Sequence, residues 1–281
     1  MAFELETMTN ATTRPIGPGR QLLFGLPIDG MRMDQALERC RQAILTRKPV
    51  LIGVLNAAKI VNLRRDPGLR DALLDCNLLL ADGQSVVWAS RLLGKPLPER
   101  VAGIDLFEAL LGLAHAQGRT IYLLGARPEV LAALERRISL RWPGLKIAGS
   151  HHGYFSDTEA AGIASDIAAS HADMLFLGMA SPKKEIFLGR FRNILEVPVL
   201  HGVGGSFDIM AGLTRRAPAA WQGLGLEWAY RLLQEPRRLW KRYLVTNSAF
   251  VVLTLREALR PAAALQPTRR RQGTLPTRSE L

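Results

Sequence analysis

Six short apolar runs recur along the chain: Val50–Leu55, Asn77–Leu80, Thr120–Leu124, Lys146–Gly149, Met174–Leu177 and Val197–His201. Amphipathic segments fall between and around them: Arg32–Thr46, Gln84–Leu93, Leu106–Gln117, Glu129–Arg141 and Thr158–Ser170. Runs this short and this apolar suit strands buried on both faces. The long segments between them supply the crossovers that parallel strands require. The alternation predicts an α/β fold, a Rossmann-like, mainly parallel sheet with helices on both faces, plus a helical C-terminal appendage.

The chain of 281 residues is long enough for one large α/β domain with an appendage. Hydrophobic residues make up 48%, which excludes general disorder. Cys40 and Cys76 have no CxxC spacing, so neither a disulfide framework nor a zinc site is expected; both read as buried small hydrophobes in a reducing, cytoplasmic setting. Residues 1–20 are polar, with no apolar core of a signal peptide, and read as a flexible tail. Residues 21–216 form the expected core.

Beyond that core the pattern changes. Trp221 to Leu281 carries eleven Lys and Arg against four Asp and Glu, a net of +7 out of +12 for the whole chain. Such a basic end suits an anionic membrane surface or a diphosphate; nucleic acid is not expected, because arginines interleave with long apolar residues and no nucleic-acid motif is present. Gly225–Glu235 and Pro236–Asn247 read as two helical pieces, with Pro236 in a first turn. At 100° per residue Arg231, Arg238 and Arg242 fall near one another. Tyr243–Leu255 is apolar but too short to span a bilayer, so it suits an interfacial or core-packing helix. Residues 217–260 thus read as a membrane-associating appendage and 261–281 as a disordered tail.

Candidate chemistry gathers at the ends of the apolar runs. The second run stops at Ala81-Asp82-Gly83, and an acid at the carboxyl end of a strand lies where open α/β sheets bind ligands. Arg100 follows in a polar turn, so a base and an anion clamp are available; the plainer reading is a helix N-cap with a surface partner. Gly125, Gly178 and Gly202-Val203-Gly204-Gly205 follow other runs. Glycines there let backbone N–H groups approach a phosphate, or simply make tight turns. The last of these lacks the full dinucleotide fingerprint, which argues against a nicotinamide enzyme. No Asp-x-Asp is present, so no metal and no cofactor are expected at a diphosphate.

These pieces occur in register with HHGYF (His151–Phe155), GMASPKKE (Gly178–Glu185), GVGGSFDIMAG (Gly202–Gly212), RRAP (Arg215–Pro218) and GLEWAYRLLQEPRRLWKRY (Gly225–Tyr243). Together with ADG and ERVAG they resemble the WecG/TagA/CpsF glycosyltransferases, also called glycosyltransferase family 26, over roughly Phe24 to Tyr243. The resemblance implies an inverting, metal-independent transfer of a hexose or N-acetylhexosamine-type sugar. The donor would be a UDP-sugar and the acceptor a polyprenyl-diphosphate-linked saccharide, in cell-surface or exopolysaccharide synthesis at the inner face of the plasma membrane. It makes Asp82 the general base and Arg100 functionally important, with Asn56 lining the pocket. The C-terminal arginines that would reach the diphosphates are Arg231 and Arg238, with Arg237 or Arg242 as further candidates.

Substrate contacts are further expected from Gly83, Gly125, Gly178, Lys184, Glu185, Gly204 and Asp208. For Asp208 the alternative is a helix cap, and for Glu185 a first-turn residue favoured by the helix dipole. Two positions depart from the family pattern. Val54 stands where Thr is common, and Lys184 replaces the Gln of PKQE, which suggests pairing with a diphosphate or an acidic sugar. His151 and His152 read as solvated or capping, and Trp228 as packing. Apolar surface on the appendage could support a homo-oligomer. The competing readings are a nucleotide-sugar or anionic-lipid binding protein without catalysis, and a nucleotide-dependent oxidoreductase. Cutting the chain at Glu227 is expected to leave a folded, more soluble and nearly inactive protein.

Overall fold

The computed structural model describes residues 19–268. In chain order they form β1 (Arg20–Leu23), β2 (Leu26–Asp29), α1 (Met33–Thr46), β3 (Val50–Leu55), α2 (Ala57–Asn62), α3 (Pro67–Leu74), β4 (Leu78–Ala81), α4 (Gln84–Leu92) and α5 (Gly103–Ala116). Then come β5 (Thr120–Gly125), α6 (Pro128–Arg141), β6 (Lys146–His151), α7 (Ala160–Ala169), β7 (Met174–Gly178), α8 (Lys183–Leu195), β8 (Val199–Gly202) and α9 (Ser206–Met210). The chain continues through α10 (Ala219–Gly223), α11 (Glu227–Gln234) and α12 (Pro236–Leu259).

Strands β3 to β8 make one parallel sheet in the order β4-β3-β8-β7-β5-β6. All six residues of β3 are buried, as a strand covered on both faces demands. Its alternate residues serve opposite cores. Leu51 and Leu55 join Leu175, Phe187 and Phe250 on one face, while Ile52 and Val54 join Phe107, Phe176 and Phe207 on the other. The mainly parallel α/β sheet read from the sequence is the observed fold, and the expected strands recur within a residue or two.

Several elements lie outside the sequence expectation. The β1–β2 hairpin is only four residues per strand, turned by Phe24 and Gly25 at positive φ (55° and 81°). Such a pair of left-handed residues matches the right-handed twist of a tight hairpin. Asp29 at its end accepts the Leu79 N–H at 2.8 Å and pairs with Arg20 at 2.8 Å, which closes the outer edge of β4. Helices α2 and α3 are short, and α3 is started by Asp66, whose side chain accepts the Leu69 N–H, with Pro67 in the first turn.

The largest difference is at the C-terminus. Pro236–Leu259 is one continuous helix of 24 residues. Leu239, Thr246, Phe250, Thr254 and Glu257 form its buried stripe, while Leu244, Val251, Val252 and Leu255 are exposed on other faces. Glu257 accepts the buried Phe24 N–H at 3.2 Å, and the Phe24 and Phe250 rings stack at 5.4 Å. The tail expected to be disordered from 261 is instead held over 261–268. Leu265 N–H donates to Gly25 O at 2.8 Å, and Thr268 N–H donates to Asp71 at 2.9 Å. Those bonds and the Leu265 side chain packed at Gly25 outweigh the chain's Pro-rich composition. Among the described residues no helix is long and apolar enough to cross a membrane.

Candidate active site

A cleft of about 1170 Å³ opens at the carboxyl ends of β3, β4 and β8, where ligand sites of open α/β sheets lie. Helices α4, α5 and α8 present their N-terminal turns to it through Gly83–Ser85, Ala102–Ile104 and Ser181–Pro182. Aligned peptide dipoles at those ends make the floor favourable to anions.

Local backbone chemistry fixes the acid at this edge. The N–H groups of Asp82 and Gly83 both donate to Leu55 O, at 2.8 and 3.1 Å, so the turn after β4 is tied to the end of β3. The Asp82 carboxylate accepts the Gly103 N–H at 2.8 Å at the start of α5. One of its oxygens thus holds the first N–H of α5, but the plainer sequence reading does not hold: the N-cap residues of α4 and α5 are Gly83 and Ala102, Arg100 pairs with Glu227 instead of Asp82, and the Asp82 side chain lines the cleft. Behind it His201 Nε2 bonds Gly103 O at 3.1 Å. Burial pushes the His201 imidazole down to about 4, and the bond to Gly103 offsets only part of that fall.

The ERVAG turn is pinned on both sides of Arg100. Glu99 accepts the Met33 N–H at 2.6 Å, and Val101 N–H donates to Ala81 O at 2.9 Å. Arg100 therefore faces the cleft, where its guanidinium meets Glu227 at 2.6 Å and Asp105 at 3.8 Å. Arg216 closes the ring, with Asp105 at 2.5 Å and Glu227 at 3.5 Å. Two arginines and two carboxylates thus join the sheet edge to α11.

Asn56 caps α2 through the Lys59 N–H at 3.1 Å and lines the cleft. Lys59 turns back to donate to Val54 O at 2.9 Å and pairs with Glu185 at 3.0 Å. Glu185 is thus a buried partner of Lys59 rather than a cleft-lining residue. Burial alone would raise its carboxyl, but Lys59 and Lys184 beside it hold it below the usual range. Lys184 does reach the cleft. Burial, with the Lys59 charge adding to it, pushes its ammonium down to about 8. The neighbouring Lys183 points elsewhere, donating to Gly153 O at 3.0 Å over the Phe155 ring.

The structure brings together in the cleft Asn56, Asp82, Gly83, Arg100, Lys184, Gly204 and Arg231. The N–H of Gly204 is already bonded to Leu177 O at 3.1 Å. Gly125, Gly178 and Asp208 stand away from the cleft lining. Gly125 has φ +139°, and a Cβ there would come within 2.5 Å of Gly178; one on Gly178 would strike the Phe207 ring. Close approach of strand β7 accounts for Gly125, and the Phe207 ring of α9 accounts for Gly178. Arg238 lies on α12, and its side chain, like that of Arg242, is outside what the structure describes. Trp228 forms part of the cleft wall and packs on Tyr243 at 5.8 Å. His151 and His152 bond within their own turn.

Lys59, Asp105, His201, Arg216 and Glu227 are functional-site neighbours that sequence reasoning missed. Arg216 and Glu227 lay inside quoted motifs, RRAP and GLEW, but only folding sets them beside Arg100. A family model for the WecG/TagA/CpsF glycosyl transferases matches residues 21–264. The chain belongs to the WecG/TagA/CpsF glycosyltransferase family. That match runs through α12 to Pro261 and beyond, so the helix carrying Phe250 and Glu257 is part of the family unit.

Proposed function

We propose that the protein is an inverting, metal-independent glycosyltransferase. It would move a hexose or N-acetylhexosamine-type sugar from a UDP-sugar to a polyprenyl-diphosphate-linked saccharide. The observation that carries this reading is a carboxylate, Asp82, at the open edge of a cleft whose other walls hold Arg100, Arg216 and Arg231. In such a transfer the acceptor hydroxyl attacks the anomeric carbon as Asp82 takes its proton. The bond from that carbon to the diphosphate oxygen breaks, and its electron pair leaves with the nucleoside diphosphate. Arginines and helix N-termini facing the cleft would stabilise the charge that develops on the leaving group.

Residues 217–260 would act as the membrane-facing cover of this site. Leu224, Trp228, Leu233, Trp240 and Leu244 are exposed apolar side chains there, among arginines and lysines, a combination that suits the surface of an anionic bilayer. A lipid-linked acceptor would then meet the cleft at the membrane.

The test is UDP release from a panel of UDP-sugars, with and without a polyprenyl-diphosphate saccharide in detergent, for wild type and Asp82→Asn. Acceptor-dependent release that collapses in the variant is the expected result. Binding of UDP-sugars with no release from any of them, with acceptor present, would favour a binding protein instead.

A further inference from the structure

Beneath the cleft lies a group of buried charges in which two lysines, Lys59 and Lys184, share one carboxylate, Glu185. Lys59 and Glu185 neutralise each other at 3.0 Å, and Lys59 also donates to Val54 O. Lys184, only 7% exposed, is left with Glu185 at 3.9 Å, beyond hydrogen-bond reach, and among the described residues no acceptor bonds its ammonium. An ammonium on so buried a side chain, with no hydrogen-bonded acceptor, favours an anion that reaches it from the cleft it lines. Its surroundings are shaped to keep it where it is. A Cβ at Gly202 would come within 3.0 Å of the Lys184 chain, and one at Gly204 within 3.1 Å of Nζ.

Lys184 shares the cleft with Asp82. Asp82 leaves β4, and Lys184 rises against Gly202 at the end of β8, with β3 between them. An inverting displacement is in line, so base and leaving group flank the anomeric carbon from opposite sides. With Asp82 as base, Lys184 in the lining of the same cleft is a cation available to the departing oxygen.

We propose that Lys184 is the pairing group for the diphosphate of the donor, supplying a charge-assisted hydrogen bond that strengthens as negative charge moves onto the leaving group. This rests on the glycosyltransferase reading above, with the nucleoside diphosphate as the anion class. A carboxylate on the donor sugar is the other source of the same chemistry.

The experiment is calorimetric titration of the full chain with uridine, UDP, UDP-glucose and UDP-glucuronate. Wild type is compared with Lys184→Gln and with Lys184→Met, an apolar replacement that removes the buried charge and should fold at least as readily. Loss of one charge-assisted bond should weaken UDP and both UDP-sugars by about tenfold or more, with uridine unchanged. Equal affinities for UDP in wild type and both variants would overturn the assignment of Lys184 while leaving the donor reading intact. A loss confined to UDP-glucuronate would overturn the diphosphate assignment in favour of a sugar carboxylate. Absence of binding of UDP and both sugars to wild type would overturn both readings.

Discussion

Asp82 combines one structural bond with a place in the cleft lining. One oxygen holds the Gly103 N–H at the head of α5, and the side chain still lines the cleft. Replacing it with Asn keeps the size but removes the proton acceptor. Transfer should fall by about 10² to 10⁴-fold with UDP affinity retained, measured by acceptor-dependent UDP release beside calorimetry. His201 acts one step back, through Gly103 O. Its imidazole titrates near 4 when folded, because burial opposes the charge, and near 6.5 when unfolded. Between those values the unfolded chain holds the extra proton, so stability drops as pH falls through that window, by ~3 kcal/mol in total. Thermal melts from pH 7 to 4 should show this acid limb, and His201→Gln should flatten it. Lys184 titrates near 8 among Lys59, Glu185 and Asp82, so donor affinity should decline as pH rises through 8 and the ammonium is lost. Calorimetry with UDP between pH 7 and 9.5 reads that decline directly.

At the scale of elements, α11 and α12 behave differently although they are consecutive. No residue of α10 or α11 is buried, and Glu227 on Arg100 and Arg216 is their main polar tie to the sheet edge. A partly buried carboxylate bridging two guanidiniums is worth about 1.5–3 kcal/mol. Glu227→Gln should therefore raise the rate of proteolytic cleavage within 219–235 about tenfold or more while the global melting temperature moves little. Protease digestion under native conditions, followed by mass spectrometry, locates the cuts. Helix α12 is instead built into the core through Phe250 and Glu257. Phe250→Ala removes a ring stacked on Phe24 and should cost about 3–5 kcal/mol of folding stability, seen by urea denaturation.

For the molecule as a whole, the packing of α12 alters what truncation should do. Removal of Glu227 onward was expected from the sequence to leave a soluble folded core. Such a cut would also remove Phe250, free the buried Phe24 N–H from Glu257 and uncover α2. The expected outcome is now a destabilised, aggregation-prone product, and differential scanning calorimetry of the truncation beside the full chain should show a lowered melting temperature.

Much of this architecture was legible in the chain because it is local. Apolar runs of four to six residues, helical periodicity between them and an acid at a strand end are properties of neighbours in sequence, and they led to the parallel sheet and to Asp82 and Arg100 at its edge, whereas Asn56 came from the family resemblance. Two features were illegible for a common reason. The ring of Arg100, Asp105, Arg216 and Glu227 spans 127 residues, and no periodicity relates its members. Helix α12 buries Thr246, Thr254 and Glu257 while exposing Leu244, Val251, Val252 and Leu255, so its apolar pattern could not say which stripe packs and which is exposed. The sequence by itself determined the strands, their chemistry-bearing ends and the excess charge of the tail. Tertiary structure alone decided which buried charges find partners, because pairing in a desolvated cleft depends on distances of a few ångströms between segments far apart in the chain.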